Sequence, residues 1–221
     1  MSRKAAFLLF INIIGVTILS CTAFPGSGDE VETFNTVGEP EILFEDDFSV
    51  ASSGWDQYTG GEGYADYENG AYKIGVYTDT MLYWANPYRD FTDVVVEVDA
   101  QKVAGGDEML YGIICRYADQ DNWYALVISG QGWAAIRKRS QGSGLEYITD
   151  WMEASSINTG SNANQLRVEC VGSRLSLYVN GFLAVETNDA SISSGDAGLM
   201  VGTLDQPEAE VLFDNFVVRR P

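Results

Sequence analysis

From Ile42 onward the chain alternates between apolar and polar positions. In "DVVVEVDAQKV", Val94, Val96, Val98 and Ala100 fall on one side, and Val95, Glu97, Asp99 and Gln101 on the other. A period of two is that of an extended strand, whereas a helix buries one face at a period near 3.6. Further runs rich in β-branched and aromatic residues follow: "YGIICRY", "NWYALVIS", "GWAAIRKR", "LEYITDW", "QLRVECVG", "RLSLYVNGFLAVETND", "AGLMVGT" and "AEVLFDNFVVRR". Gly, Asn or Asp separates them, and Asn180-Gly181 marks a two-residue hairpin turn because both positions accept positive φ. Roughly a dozen strands at this spacing predict an all-β fold, an antiparallel jelly-roll β-sandwich over residues 42–221. The stretch 54–77 is richer in Gly and Tyr and reads as long loops between short strands.

Charge and composition narrow the function classes. The chain carries 13 basic and 32 acidic residues, a net −19, and no histidine. Such a charge repels phosphate backbones, which argues against nucleic acid as a partner. Without histidine, Ser-His-Asp and Cys-His nucleophile systems and ordinary zinc sites are ruled out.

The N-terminus supplies an address. Arg3 and Lys4 precede an apolar run that ends in "ILSC" at Cys21. The run falls short of the about 20 residues a spanning helix needs, and it suits a secretory signal peptide. The aliphatic residue three places before the cysteine and the small residue just ahead of it resemble the bacterial lipoprotein signal. The resemblance implies cleavage after residue 20, lipidation of Cys21 and anchorage in the bacterial cell envelope. Residues 21–41, rich in Gly, Pro, Ser, Thr and acid, read as a flexible acidic tether holding the domain off a membrane. In an exported chain Cys115 and Cys170 can form a disulfide or remain two small buried thiols.

A family likeness emerges from four stretches: "EDDFS...SGW", "YGIICRYADQDNWYALVIS", "LRVECVGSRLSLYVNG" and "SGDAGLMVGT...FDNFVV". Together they resemble the concanavalin A-like lectin/glucanase superfamily, nearest its bacterial laminin-G-like branch with the 3-keto-disaccharide hydrolase type domains. The resemblance implies neighbouring first and last strands and a glycan or protein surface as ligand. It also implies a structural calcium as the cofactor to look for. Asp46, Asp47 and Asp214 would converge if the terminal strands pair, and Asp119, Asp121 and Asn122 form a second acidic loop that also reads as a plain turn.

The superfamily's glycoside hydrolases carry Glu-x-Asp-x-Glu, or that pattern with one extra residue. Glu97 and Asp99 match its start, but Gln101 or Lys102 stands where the second carboxylate belongs. A retaining mechanism needs both carboxyl groups. The pattern therefore reads as the polar side of an alternating strand, with loop acids such as Asp66, Glu68, Asp107 and Glu108 as the alternative source of a catalytic pair. Non-catalytic glycan binding is the leading expectation, because sugar recognition combines aromatic faces with amide, carboxylate and guanidinium groups. The candidate ligand-binding residues are Trp84, Tyr88, Arg116, Tyr124, Trp133 and Arg137. They read equally as aromatics and cations capping a sandwich core. A structural or protein-interaction domain without a small ligand is the third reading.

Overall fold

The computed structural model describes residues 40–221. The signal peptide, Cys21 and nearly all of the tether lie outside the described residues. Those described form sixteen strands and no helix. A nine-stranded antiparallel sheet runs β14 (Phe182–Asn188), β13 (Arg174–Val179), β12 (Asn164–Val171), β6 (Val94–Gly105), β16 (Ala209–Arg219), β4 (Ala71–Val76), β3 (Gly63–Glu68) and β2 (Tyr58–Thr59). The C-terminal half of β16 also pairs with β1 (Ile42–Asp46), so the first and last strands are neighbours. A seven-stranded sheet runs β10 (Glu146–Tyr147), β9 (Trp133–Arg139), β8 (Asn122–Ser129), β7 (Leu110–Asp119), β15 (Asp196–Gly202) and β5 (Leu82–Ala85), with β11 (Met152–Glu153) beside β9. This is a jelly-roll sandwich of two packed antiparallel sheets.

The alternation works as expected on the nine-stranded sheet. Val94, Val96, Val98 and Ala100 point into the core, while Glu97 faces outward between Arg167 and Arg219. Asn180 and Gly181 both have positive φ and close the β13–β14 hairpin. Two segments differ from expectation. Residues 54–77 are not mainly loop: β3 and β4 form a regular hairpin whose turn, Asn69-Gly70, also has positive φ at both positions. "LEYITDW" is not one strand. Only Glu146 and Tyr147 pair before the chain crosses over and β11 returns to β9.

The core is densely aromatic beneath β1. Trp55 donates its indole N–H to the buried Asp46 carboxylate at 2.9 Å and packs on Phe48, Tyr72 and Phe216. At the other end, Cys115 of β7 and Cys170 of β12 are joined by a disulfide, which ties the two sheets together across a sequence separation of 55. Closing a loop of that size removes unfolded-state entropy worth about 4 kcal/mol in the chain-entropy account. We predict that the Cys115→Ala, Cys170→Ala double variant loses about 2–4 kcal/mol of stability, read from urea unfolding. An unchanged urea midpoint when the parent is reduced would show that the link does not act on folding.

Candidate functional site

The strands of the seven-stranded sheet are apolar on both sides. In β8, Tyr124, Leu126 and Ile128 belong to the inter-sheet core, and Trp123, Ala125 and Val127 to a second apolar layer on the outer face. Pairing registers lay that outer face out in rows. One row runs Trp84, Met200, Gly112, Val127, Ala135; the next runs Gly198, Ile114, Ala125, Arg137, Tyr147. Small residues fill the middle, and large aromatics stand at both flanks.

At the β5 flank this face opens into a cleft of about 690 Å³, lined by Asp56, Leu82, Trp84, Asn86, Tyr88, Arg89, Tyr117 and Asp196 among others. Trp84 and Tyr117 form its apolar wall, with ring centroids 6.4 Å apart. Tyr88 stands at the rim, 73% exposed, and its hydroxyl donates to the Asp56 carboxylate. That hydrogen bond, together with burial, pushes the Tyr88 phenol up to about 12. The second Asp56 oxygen accepts the Asn86 backbone N–H at 3.0 Å.

Asp196 is the buried carboxylate of the site, 6% exposed at the start of β15. Local structure delivers it there. Phe91 and Gly195 exchange two backbone hydrogen bonds, both 3.0 Å, and so dock residues 86–91 beside the strand. Tyr88 takes left-handed backbone, φ 59; the Asp196 carboxylate accepts the Ala197 N–H at 2.8 Å, and the backbone amides of Tyr88 and Arg89 also favour its charged form. Burial pushes the Asp196 carboxyl up to about 6, against the pull of those amides and of Arg89.

Asn86 is 3% exposed, and its side-chain Nδ2 has no hydrogen-bond partner. It lies against Gly198, where an added Cβ would come within 2.3 Å of that nitrogen. A buried amide donor left unpaired costs about 1–3 kcal/mol.

The six sequence candidates separate. Trp84 and Tyr88 line this cleft. Trp133, 38% exposed, lines a smaller one of about 380 Å³ where the ends of β7, β8, β9 and β15 meet, with Glu108, Trp151 and Asp205. Arg137 is on the outer face as its parity suggests, but it is buried under the Tyr147 ring, 3.8 Å away, and donates to the Leu145 carbonyl at 2.9 Å.

Tyr124 and Arg116 are not on that face. Tyr124 points into the core, and its hydroxyl donates to Asp189 at 2.7 Å and accepts the Ile192 N–H at 3.1 Å. Arg116 takes φ 54 at an irregularity in β7, which breaks the alternation and turns its side chain inward. It donates to the carbonyls of Ile192 and Gly172 and to Asp93, at 3.0, 2.8 and 3.2 Å. Both residues therefore hold the 189–195 segment that leads into Asp196.

The aspartates expected at a calcium are each engaged in local hydrogen bonds. Asp46 uses both oxygens on Phe48 and Trp55, Asp47 caps Ser49, and Asp214 accepts the Asn215 N–H. Among the described residues no three acidic, cysteine or histidine side chains gather closely enough for a metal. Asp119 accepts from Asp121 and Asn122 in a local turn. Sequence reasoning missed Asp56, Asn86, Arg89, Tyr117 and Asp196. The signal for Asp196 was present, since it is the one polar residue of an otherwise apolar and glycine strand, "DAGLMVG".

No family model matches the chain, and no curated protein is similar to it in sequence. Solved structures share its fold. A carbohydrate-binding module from Bacillus subtilis superposes with a TM-score of 0.61 at 18% identity, over 75% of this chain and 95% of that one. A B. subtilis protein of unknown function with a galectin-like fold gives 0.62 at 14%, over 83% and 97%. A laminarinase from Flavobacterium sp. UMI-01 gives 0.57 at 11%, over 81% and 100%. The domain thus has the galectin-like, concanavalin A-like jelly-roll fold.

The buried carboxyl yields a pH prediction. A pKa near 6 in the folded chain, against 3.8 ordinarily, means the folded state holds more proton than the unfolded across that window. Stability from this group is therefore full below the window and falls as pH rises through about 6. Asp196→Asn is expected to raise the urea midpoint at pH 7 and leave it unchanged near the bottom of the window. A lower midpoint at pH 7 would show that Tyr88 and Arg89 stabilise the charged form instead.

Proposed function

We propose that this domain is a non-catalytic glycan-binding module, and that its ligand is a neutral glycan seated in the Trp84–Tyr88–Asp196 cleft. One observation carries the reading: aromatic walls, three carboxylates, a guanidinium and the Asn86 amide line a single cavity. Aromatic faces pack on the C–H faces of sugars, while carboxylates and amides bond their hydroxyls. Asp56, Asp90 and Asp196 outweigh Arg89, so the cleft disfavours uronic acids and other anionic sugars. The shared fold with a carbohydrate-binding module supports the class of ligand. The finer likeness to the laminin-G-like branch belongs to this proposal, as does the exported, lipid-anchored setting that rests on the signal ending at Cys21.

A hydrolase is the second reading. Asp56 and Asp196 share one cleft, and burial raises the Asp196 carboxyl to about 6, as a general acid requires. The two readings separate on Asp196→Asn and Trp84→Ala. For a binding module, a glycan array probed with the detergent-purified protein shows neutral glycans bound, both variants weakened at least tenfold, and no sugar released. Release of reducing sugar by the parent, abolished in Asp196→Asn while binding persists, would replace the module with an enzyme. An array blank with and without calcium would favour a protein partner.

A further inference from the structure

The smaller cleft, about 380 Å³, is built by turns from one end of the sandwich. The β6–β7 turn carries Glu108, the β8–β9 turn carries Gln131, and the chain leaving β15 carries Asp205. Register brings these turns together. Gly105 pairs with Ala209 where β6 meets β16, and a Cβ at Gly130 would stand 3.2 Å from Asp107. The Gly130 and Gly132 carbonyls accept the Gly160 and Ala154 N–H groups, both at 3.0 Å, which fixes the β8–β9 turn. Trp133, which opens β9, and Trp151, just before β11, supply two indoles. The Trp151 ring is held by its N–H bond to the Tyr147 hydroxyl at 3.1 Å.

The chemistry of this cleft differs from that of the larger one. Among the described residues no Lys or Arg lines it. Lys102, the basic residue nearest in sequence, pairs with Asp107 and leaves Glu108 without a counter-charge. Ser129 is 5% exposed; its hydroxyl oxygen accepts the Trp133 N–H at 3.4 Å, and its own proton has no acceptor among the described residues. Two indoles, two uncompensated carboxylates and a buried hydroxyl donor thus line one cavity.

We propose that this cleft binds an organic ammonium group, as carried by an amino sugar or by a lysine side chain. The inference goes beyond the neutral-glycan reading and does not depend on it. An ammonium is drawn to an indole face by the ring quadrupole and to carboxylates by charge, and no protein cation competes for either here. A bare calcium or magnesium ion takes oxygen ligands and would leave the indoles unused. Glu108 and Asp205 repel an anion. The Ser129 hydroxyl can donate to an oxygen beside the amine, a ring hydroxyl in the amino sugar or an amide carbonyl in the lysine residue.

The test is calorimetric titration of the detergent-purified full-length protein with four probes. Glucosamine disaccharide and N-acetyl-lysine amide carry the ammonium. N-acetylglucosamine disaccharide and N-acetyl-norleucine amide are their neutral counterparts. At least one amine is expected to bind roughly tenfold or more tightly than its counterpart. Which amine binds more tightly tells whether the source is a sugar or a protein. Trp133→Ala, and separately Glu108→Gln with Asp205→Asn, are each expected to weaken that binding by roughly tenfold. The carboxamide pair keeps the shape of two exposed side chains, and an unchanged urea midpoint checks its fold. Glu62→Gln, on the β2–β3 turn, removes one negative charge elsewhere and is expected to change the affinity less than about twofold, which separates this cleft from the general field of an acidic protein. Neutral counterparts that bind as tightly as the amines, carboxamide variants that bind like the parent, or no binding of either amine would each overturn the inference and leave the neutral-glycan reading standing.

Discussion

The seven-stranded sheet is apolar on both faces, and much of the molecule follows from that. In β7, β8 and β15 nearly every position is buried, as in strands covered on two sides. A sandwich covers only one side of each sheet. The outer face must therefore bring its own cover, drawn from the edge strand, the end of β7 and the connection beyond β9. Trp84, Tyr117, Leu145 and Trp151 supply it. Trp84 and Tyr117 also wall the larger cleft and Trp151 the smaller, so the cleft walls and the seal over the sheet are one structure. Burying a large aromatic contributes roughly 1.5–3 kcal/mol, enough to keep these rings down on the sheet and out of water.

The far end of the sandwich is held by polar and covalent links. The disulfide joins the sheets, and next to it Arg116 and Tyr124 grip the 189–195 segment. Lys138 completes the grip at 2.7 Å from Asp189. Burial opposes the Asp189 charge, yet the bonds from Lys138, Ser191 and Tyr124 prevail and hold its carboxyl below the usual range. That segment ends at Gly195, paired with Phe91, and the next residue is Asp196. Residues outside the cleft thus set where its buried carboxylate stands, and Arg116 and Tyr124 hold the chain that leads to it without lining the cleft.

Charge is handled locally. At Asp196 desolvation favours the neutral form of the carboxyl, while the neighbouring backbone amides and the Arg89 charge pull toward the ionised one. On the nine-stranded sheet the outward charges are neutralised in place, as Glu97 and Glu169 alternate with Arg167, Arg174 and Arg219. The half-matching carboxylate motif at Glu97 is part of this ion-pair network, on the opposite side of the molecule from the cleft.

Alternation, turn dipeptides and the absence of histidine were enough to determine an antiparallel sandwich, the inward side of β6, the Asn180-Gly181 hairpin and the exclusion of histidine-dependent chemistry. These are local properties, and a period of two cannot serve a helix. Asn69-Gly70 carries the same turn signal, set amid a stretch rich in Gly and Tyr. Tertiary structure decided the rest. Parity says which residues share a face, but when both faces are apolar it does not say which one meets the other sheet, and so Tyr124 and Trp123 exchange places. One residue in left-handed backbone, Arg116, reversed the parity beyond it. The cleft draws Asp56, Trp84, Asn86, Tyr117 and Asp196 from four separate stretches. Only strand order and register bring them together, because β15 must lie between β5 and β7 before Asp196 can face Tyr88 and Tyr117.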